Sequence, residues 1–480
     1  MASPSNVKPY SSWVQEGEHR YTQLYGFQEV LYNAISAPPG SPALFLPFSH
    51  VTFKHVKGGD RLSDHSLALC IRIAWLQLRQ NHPQLAAVNL REAKTYISPS
   101  SRTELEEWLD ATFIVLPETT ANEIWRNAVK PRQLTLYFLP QERQLCLLGE
   151  HHTIDGRGLM NFWDRLFRAL GSPQPDEVLW KTDGSEVSRL PPRSDDLLNL
   201  EEKSPGCGVL RAREMLLPLK SPSPIHLPIA EHQLARPFSR KNASVELRLS
   251  VAMTRAIVST CKRQRLGVTA AWHAAIILAT QTTQANYMAP GTQFSGFANI
   301  DLRRYFPPSS VDAYVFNNHS TILPFSVRPN GKSFTYLARE INNFLSRDLS
   351  SADPEVWSAL GPMIQSLVPG FTVPHLTDTT PAVSSLGIID TYIASSYPNG
   401  NGRRDDGYWE IEHVWFGDTV CGPWLECFMW SWQDQISLNT VYNPAYHTHV
   451  EVDKFLQVVV EKFMDGLGII IREGDGMSKI

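Results

Sequence analysis

The sequence predicts an α+β protein of two units joined by a long crossover, and three observations carry that prediction. A hairpin pattern near residue 140 runs straight into an amphipathic helix pattern. A proline-rich stretch without clear periodicity fills 176–240. A second set of strand and helix patterns begins near Ala243. The length, 480 residues, has room for two or three domains. With 42% hydrophobic and 19% charged residues, the composition is an ordinary globular balance that can fill a core.

Taken in order, Leu67, Cys70, Ile71, Ala74, Trp75 and Leu78 recur at helical spacing over 64–82, and Asn81-His82-Pro83 ends that helix. Val88-Asn89-Leu90 and Thr95-Tyr96-Ile97 predict strands, 102–108 a short helix and 111–116 another strand. Two apolar runs, 134–140 and 145–148, flank a polar turn and predict a hairpin. Leu159, Phe162, Trp163, Leu166, Phe167 and Leu170 then form a helical stripe that Gly171-Ser172-Pro173 stops. These elements make up a first unit, 1–175.

The crossover, 176–240, scatters Pro191, Pro192, Pro205, Pro218, Pro222, Pro224, Pro228 and Pro237 among polar residues. In the second unit, 241–480, residues 245–249 alternate as a strand, and 253–261 and the alanine-rich 270–280 read as helices. Strands are expected at 294–302, 321–327 and within 382–393, a flexible tip at 399–407, one long aromatic-rich strand region at 428–442 and a closing helix at 452–467.

Several function classes drop out on composition. The net charge of −4 gives no basic field for nucleic acid. No apolar stretch approaches a membrane span, and the polar N-terminal residues lack a signal core, so a cytoplasmic protein is expected. Six dispersed cysteines without a Cys-x-x-Cys pair offer neither a zinc site nor a disulfide framework, and no metal is expected.

The chemistry concentrates in Glu150-His151-His152-Thr153-Ile154-Asp155-Gly156, between the hairpin and the helix. A strand end followed by a turn holds an imidazole at the mouth of a sheet. An imidazole is mainly neutral near pH 7, so His151 there can act as a general base in acyl transfer. Asp155 can cap the helix or pair with a cation, and Gly156 suits the tight start of the helix.

The chain resembles the superfamily of CoA-dependent acyltransferases related to nonribosomal condensation domains, and within it the fungal trichothecene 15-O-acetyltransferase-like group. The resemblance is carried by the helix ending in Asn81-His82-Pro83-Gln84-Leu85, by His151 to Gly156, by Gly267-Val268-Thr269, by Asn299-Ile300-Asp301-Leu302-Arg303-Arg304 and by Val383-Ser384-Ser385-Leu386-Gly387, all in the expected order. The Asp-Phe-Gly-Trp-Gly motif of the plant branch is absent, and Glu150 stands where the HHxxxDG form has its first histidine.

The resemblance implies two chloramphenicol-acetyltransferase-like lobes, each a mixed sheet with flanking helices, with an active-site channel between them. It implies His151 as base, with Asp155 and Gly156 completing the motif, and Asp155 paired with Arg303, or else Arg304. Acetyl-CoA or another acyl-CoA would be the co-substrate, with no permanently bound cofactor, and an alcohol the acceptor. The aromatic-rich second unit favours a bulky, mostly apolar acceptor such as a terpenoid or polyketide.

Oxyanion donors would be the Gly156 amide or a hydroxyl or indole of the second lobe. Asn318, Trp430 and Trp432, with Trp424, are candidate channel-lining residues, and Lys262, Arg263 and Arg265 candidate phosphate contacts. A carrier protein is the alternative acyl donor, and a monomer is expected because two lobes complete one site. Two other readings stay open: a cyclase of a natural-product pathway, and a non-catalytic carrier-docking module.

Overall fold

A computed structural model describes residues 12–37, 40–56, 62–200, 208–229, 231–234, 241–353, 355–371, 378–400, 407–470 and 477–479. Helices and sheets are mixed throughout. The hairpin Thr135–Leu139 and Gln144–Leu148 forms as the apolar runs require, and it is buried on both faces, which explains its lack of clean alternation. It belongs to a six-stranded sheet ordered Ser396–Pro398, Tyr408–Gly417, Phe48–Val56, Gln144–Leu148, Thr135–Leu139, Phe113–Val115.

Helix Asp64–Asn81 buries Leu67, Ile71, Ala74, Trp75 and Leu78 against this body. Cys70, expected in the same stripe, lies on the exposed side. Trp75 stacks on Trp108 at 5.1 Å between ring centres and meets Phe162 edge-on at 5.7 Å, which joins three helices in one aromatic core.

A five-stranded sheet, ordered Ala382–Ile388, Glu426–Trp432, Gln435–Tyr442, Ala243–Leu249, Met477–Lys479, carries the second core with helices Val251–Gln264, Val268–Ala285 and His449–Leu467. A separate antiparallel ribbon, Phe294–Asp301 with Ser320–Val327, borders the cleft. A third core joins helix Phe27–Ala34 to Gly208–Leu216 and Val356–Phe371.

Two features differ from the sequence reading. The region 428–442 is not one strand but two, because Gln433 (φ 50°) and Asp434 (φ 61°) form a tight turn. Both central residues of such a turn need positive φ, and neither is the glycine that marks it in sequence. The crossover 176–240 is partly helical and docked: Leu179, Leu190, Leu197 and Leu198 are buried, and the Trp13 indole and Gln23 amide both donate to the Pro191 carbonyl. Most of the tip expected at 399–407, namely 401–406, lies outside the described residues.

A sequence division at 240 also does not see an exchange between the units. Strand Tyr408–Gly417 pairs antiparallel with Phe48–Val56 along its length, with a bulge between Ile411 and His413. The second unit thereby supplies a strand to the sheet of the first. Ile411, fully buried in that strand, tests the coupling. Ile411→Ala should cost about 2–5 kcal/mol. Calorimetry should show one transition moved down; a lowered transition beside an unmoved one would mean the lobes unfold independently.

Candidate active site

The motif is set by its two neighbours. Strand Gln144–Leu148 ends at Gly149, whose amide donates to the Pro47 carbonyl at 3.2 Å, and the Thr153 amide donates to the Glu150 carbonyl at 2.9 Å to close a turn. Helix Gly156–Gly171 then starts with Asp155 as its N-cap, the Gly158 amide donating to Oδ1 at 2.7 Å.

The same carboxylate is held from the second lobe. Arg303 donates from Nη1 to Oδ2 at 2.9 Å and from Nη2 to Oδ1 at 3.0 Å, and the His319 amide donates to Oδ2 at 2.8 Å. Arg303 is itself fixed by the Asn317 carbonyl at 2.9 Å and Asp301 Oδ1 at 3.2 Å. Burial would push the Asp155 carboxyl up; the Arg303 guanidinium, with the Gly158 amide, outweighs it and holds the group at about 2. Arg304 is exposed and donates instead to the Arg347 carbonyl at 3.0 Å.

Asp155 therefore points away from the imidazole, which opens into a cavity of about 620 Å³ between the lobes. The His151 ring stacks on Tyr32 at 4.0 Å with planes 7° apart. Its Nδ1 is buried with no partner from another residue among those described. Burial lowers the imidazole to about 4, although Asp155 and its own carbonyl pull it upward, so the ring is neutral at neutral pH.

His152 faces the other way, buried, tilted against Tyr25 at 5.1 Å and 3.6 Å from Glu150 Oε1. Glu150 is buried behind the motif and accepts from Lys130 at 2.8 Å, Asn89 at 2.9 Å and Ser36 at 3.2 Å. The carboxylate in place of a first histidine is thus balanced by a buried lysine.

Gly156 lines the cavity. Its backbone is not in the left-handed region; the constraint is space, since a Cβ there would lie 2.6 Å from Leu386 Cδ2 of the second lobe. Trp424 also lines the cavity, but Asn318, Trp430 and Trp432 do not. Trp430 is buried edge-on against Phe416 at 5.7 Å, and Trp432 is core as well. The Asn318 side chain turns back to accept from Ser320; the backbone of 317–319, not its side chains, reaches Arg303 and Asp155. Lys262, Arg263 and Arg265 are exposed and outside the cavity lining. Tyr32, Asp418 and Glu426 line the cavity without any motif to mark them. Among the described residues no cluster could hold a metal ion, and no helix is long and apolar enough to cross a membrane.

No family model matches the chain. Acetyltransferase pigO of Monascus ruber is 27% identical over 402 residues, spanning 82% of this chain and 85% of that one. O-acetyltransferase pigM of the same organism is 27% identical over 421 residues, spanning 82% and 75%. Its homologues are fungal acetyltransferases. The fold agrees. Trichothecene 15-O-acetyltransferase TRI3 of Fusarium sporotrichioides superposes with a TM-score of 0.79 at 20% identity, covering 95% of this chain and 98% of that one. The condensation domain of the Monacolin K polyketide synthase MokA superposes at 0.60 and 11% identity, covering 95% and 98%. The chain thus shares with TRI3 and with condensation domains an architecture of helices and several sheets, none closed among the described residues.

The clamp generates a stability prediction. Asp155→Asn leaves the buried Arg303 guanidinium with only the partly exposed Asp301 as counter-charge and should destabilise by about 3–5 kcal/mol. Because the folded-state carboxyl lies at about 2, below its unfolded value, the stability it contributes is full above about pH 4 and is lost as pH falls toward 2. Denaturant unfolding of wild type and variant at pH 7 checks the first part; equal midpoints would remove the clamp from the argument.

Proposed function

We propose that this chain is an O-acyltransferase that moves an acyl group, acetyl in the first instance, from a CoA thioester to a hydroxyl of a bulky, mostly apolar secondary metabolite. The observation that carries this reading is a neutral, half-buried His151 on the wall of a cavity of about 620 Å³. That volume falls in the ordinary range for a small-molecule site, about 300–1,000 Å³. The lining is rich in apolar and aromatic side chains, including Leu31, Ile35, Phe45, Phe297 and Phe428, which suits an apolar acceptor. The acetyltransferase homologues support the reaction class.

His151 takes the proton of the acceptor hydroxyl as its oxygen attacks the thioester carbonyl. A C–O bond forms, the carbonyl becomes a tetrahedral oxyanion, and collapse breaks the C–S bond. The imidazolium returns its proton to the leaving thiolate, so no covalent enzyme intermediate is needed. For the oxyanion, we assign two donors from residues of the lining: the Gly156 amide and the Ser385 hydroxyl, which shares a hydrogen bond with Thr269 at 2.8 Å. Tyr32, stacked on His151, keeps the ring plane fixed.

Thiol release from acetyl-CoA in the presence of a panel of terpenoid and polyketide alcohols is the test. Release should depend on the alcohol and fall about 100- to 10,000-fold in His151→Ala. A folded protein that releases no thiol with any alcohol would overturn acyl transfer from CoA. The pH dependence follows from the imidazole. Only the neutral ring accepts a proton, so kcat/KM should fall as pH drops through about 4 and stay level from pH 6 to 8. A limb near pH 7 would mean that another group sets the profile.

A further inference from the structure

Two carboxyl groups, Asp418 and Glu426, line the same cavity as His151, and the transfer step uses neither. Asp418 follows the end of the exchanged strand Tyr408–Gly417, and Glu426 opens strand Glu426–Trp432. They are neighbours: burial first, and then the Asp418 charge, raise the Glu426 carboxyl well above its ordinary range, and burial pushes Asp418 up to about 7.

Glu426 is only 6% exposed, and its Oε2 is buried without a hydrogen-bond partner. Among the described residues no cation is found to offset either carboxyl. Arg157 and Arg303 are the cationic side chains in the lining among the described residues, and both are engaged. Arg303 clamps Asp155, while Arg157 lies 3.8 Å over the Tyr392 ring and 3.8 Å from Asp301 Oδ2. Dry carboxyls without a counter-charge are costly unless a ligand completes them. The aromatic faces of Tyr32, Phe45, Phe416, Trp424 and Phe428 in the same lining are the surfaces that favour an organic cation.

We propose that Asp418 and Glu426 form a subsite for a protonated amine, so that the acceptor is a mostly apolar alcohol that also carries a basic nitrogen. The word acceptor rests on the acyl-transfer reading; the amine site itself does not. The arrangement also directs the reaction. An amine held as ammonium has no lone pair with which to attack a thioester, so the acyl group goes to the oxygen presented to His151. Binding of the ammonium expels to solvent the proton that the empty pair retains.

Calorimetric titration of the full chain with adamantylmethylammonium and with adamantylmethanol, matched in bulk, tests this. Wild type should bind the ammonium at least about tenfold tighter than the alcohol. The isosteric double variant Asp418→Asn/Glu426→Gln should bind the two alike, with a melting temperature no lower than wild type, because among the described residues no ion pair to either carboxyl would be lost. Equal or tighter binding of the alcohol by wild type overturns the proposal, as does a preference that survives in the variant. A lowered melting temperature in the variant would mark the carboxyls as structural and overturn it too. The outcome separates from that of the transfer reading. Alcohol-dependent thiol release without amine preference sinks this subsite alone, whereas amine preference without thiol release sinks transfer alone.

Discussion

The bidentate contact between Arg303 and Asp155 is the interaction on which the site depends. It joins residues 148 positions apart in the chain, at 2.9 and 3.0 Å, in a place from which water is excluded. One carboxylate ends a turn, caps a helix and accepts an amide from the segment leading into the second lobe's ribbon. Its four hydrogen bonds leave it no capacity to orient the imidazole. The aspartate of the motif is therefore a structural member in this chain, and the charge balance that a buried ion pair needs is complete within the clamp.

With Asp155 committed elsewhere, His151 is positioned by other means. The Tyr32 ring holds its face, and the strand end holds its backbone. Behind it, Glu150, Lys130, Asn89 and Ser36 form a closed polar group that keeps His152 and the turn from moving. Burial has a direct chemical consequence: it removes the charged form of the imidazole at neutral pH, which leaves a base ready to accept a proton. Burial also raises Asp418 and Glu426, so one cavity holds a neutral imidazole and two carboxyls shifted toward their neutral form.

The exchange of strand Tyr408–Gly417 makes this arrangement mechanically sound. It puts Asp418 at the cavity from the sheet of the first lobe, while Glu426, eight residues later in the numbering, begins a strand of the second. Both carboxyls reach the lining of one cavity because the chain crosses between sheets at that point. A cleft whose walls share a strand resists opening as two free bodies, which suits a site that must stay dry.

The sequence by itself determined the elements whose apolar pattern is local. The hairpin before His151 shows as two short apolar runs around a polar turn, and helix Gly156–Gly171 and the closing helix each bury one recognisable stripe. It also marked His151, Asp155 and Gly156 through a short motif whose spacing is legible, while Arg303, with Arg304 as the other candidate, came only from the family resemblance. Strand Phe48–Val56 was missed, although it is central, because His50, Thr52, Lys54 and His55 break its apolar run and only its neighbours bury it. The turn at Gln433-Asp434 was hidden because its positive φ values are imposed by strand pairing rather than invited by glycine. Which tryptophans line the cavity, and which carboxyls face it, was decided by tertiary structure alone. Glu426, Phe428, Trp430 and Trp432 share one face of their strand, yet only Glu426 and Phe428 line the cavity, so position along the strand relative to elements far away in sequence decides the matter.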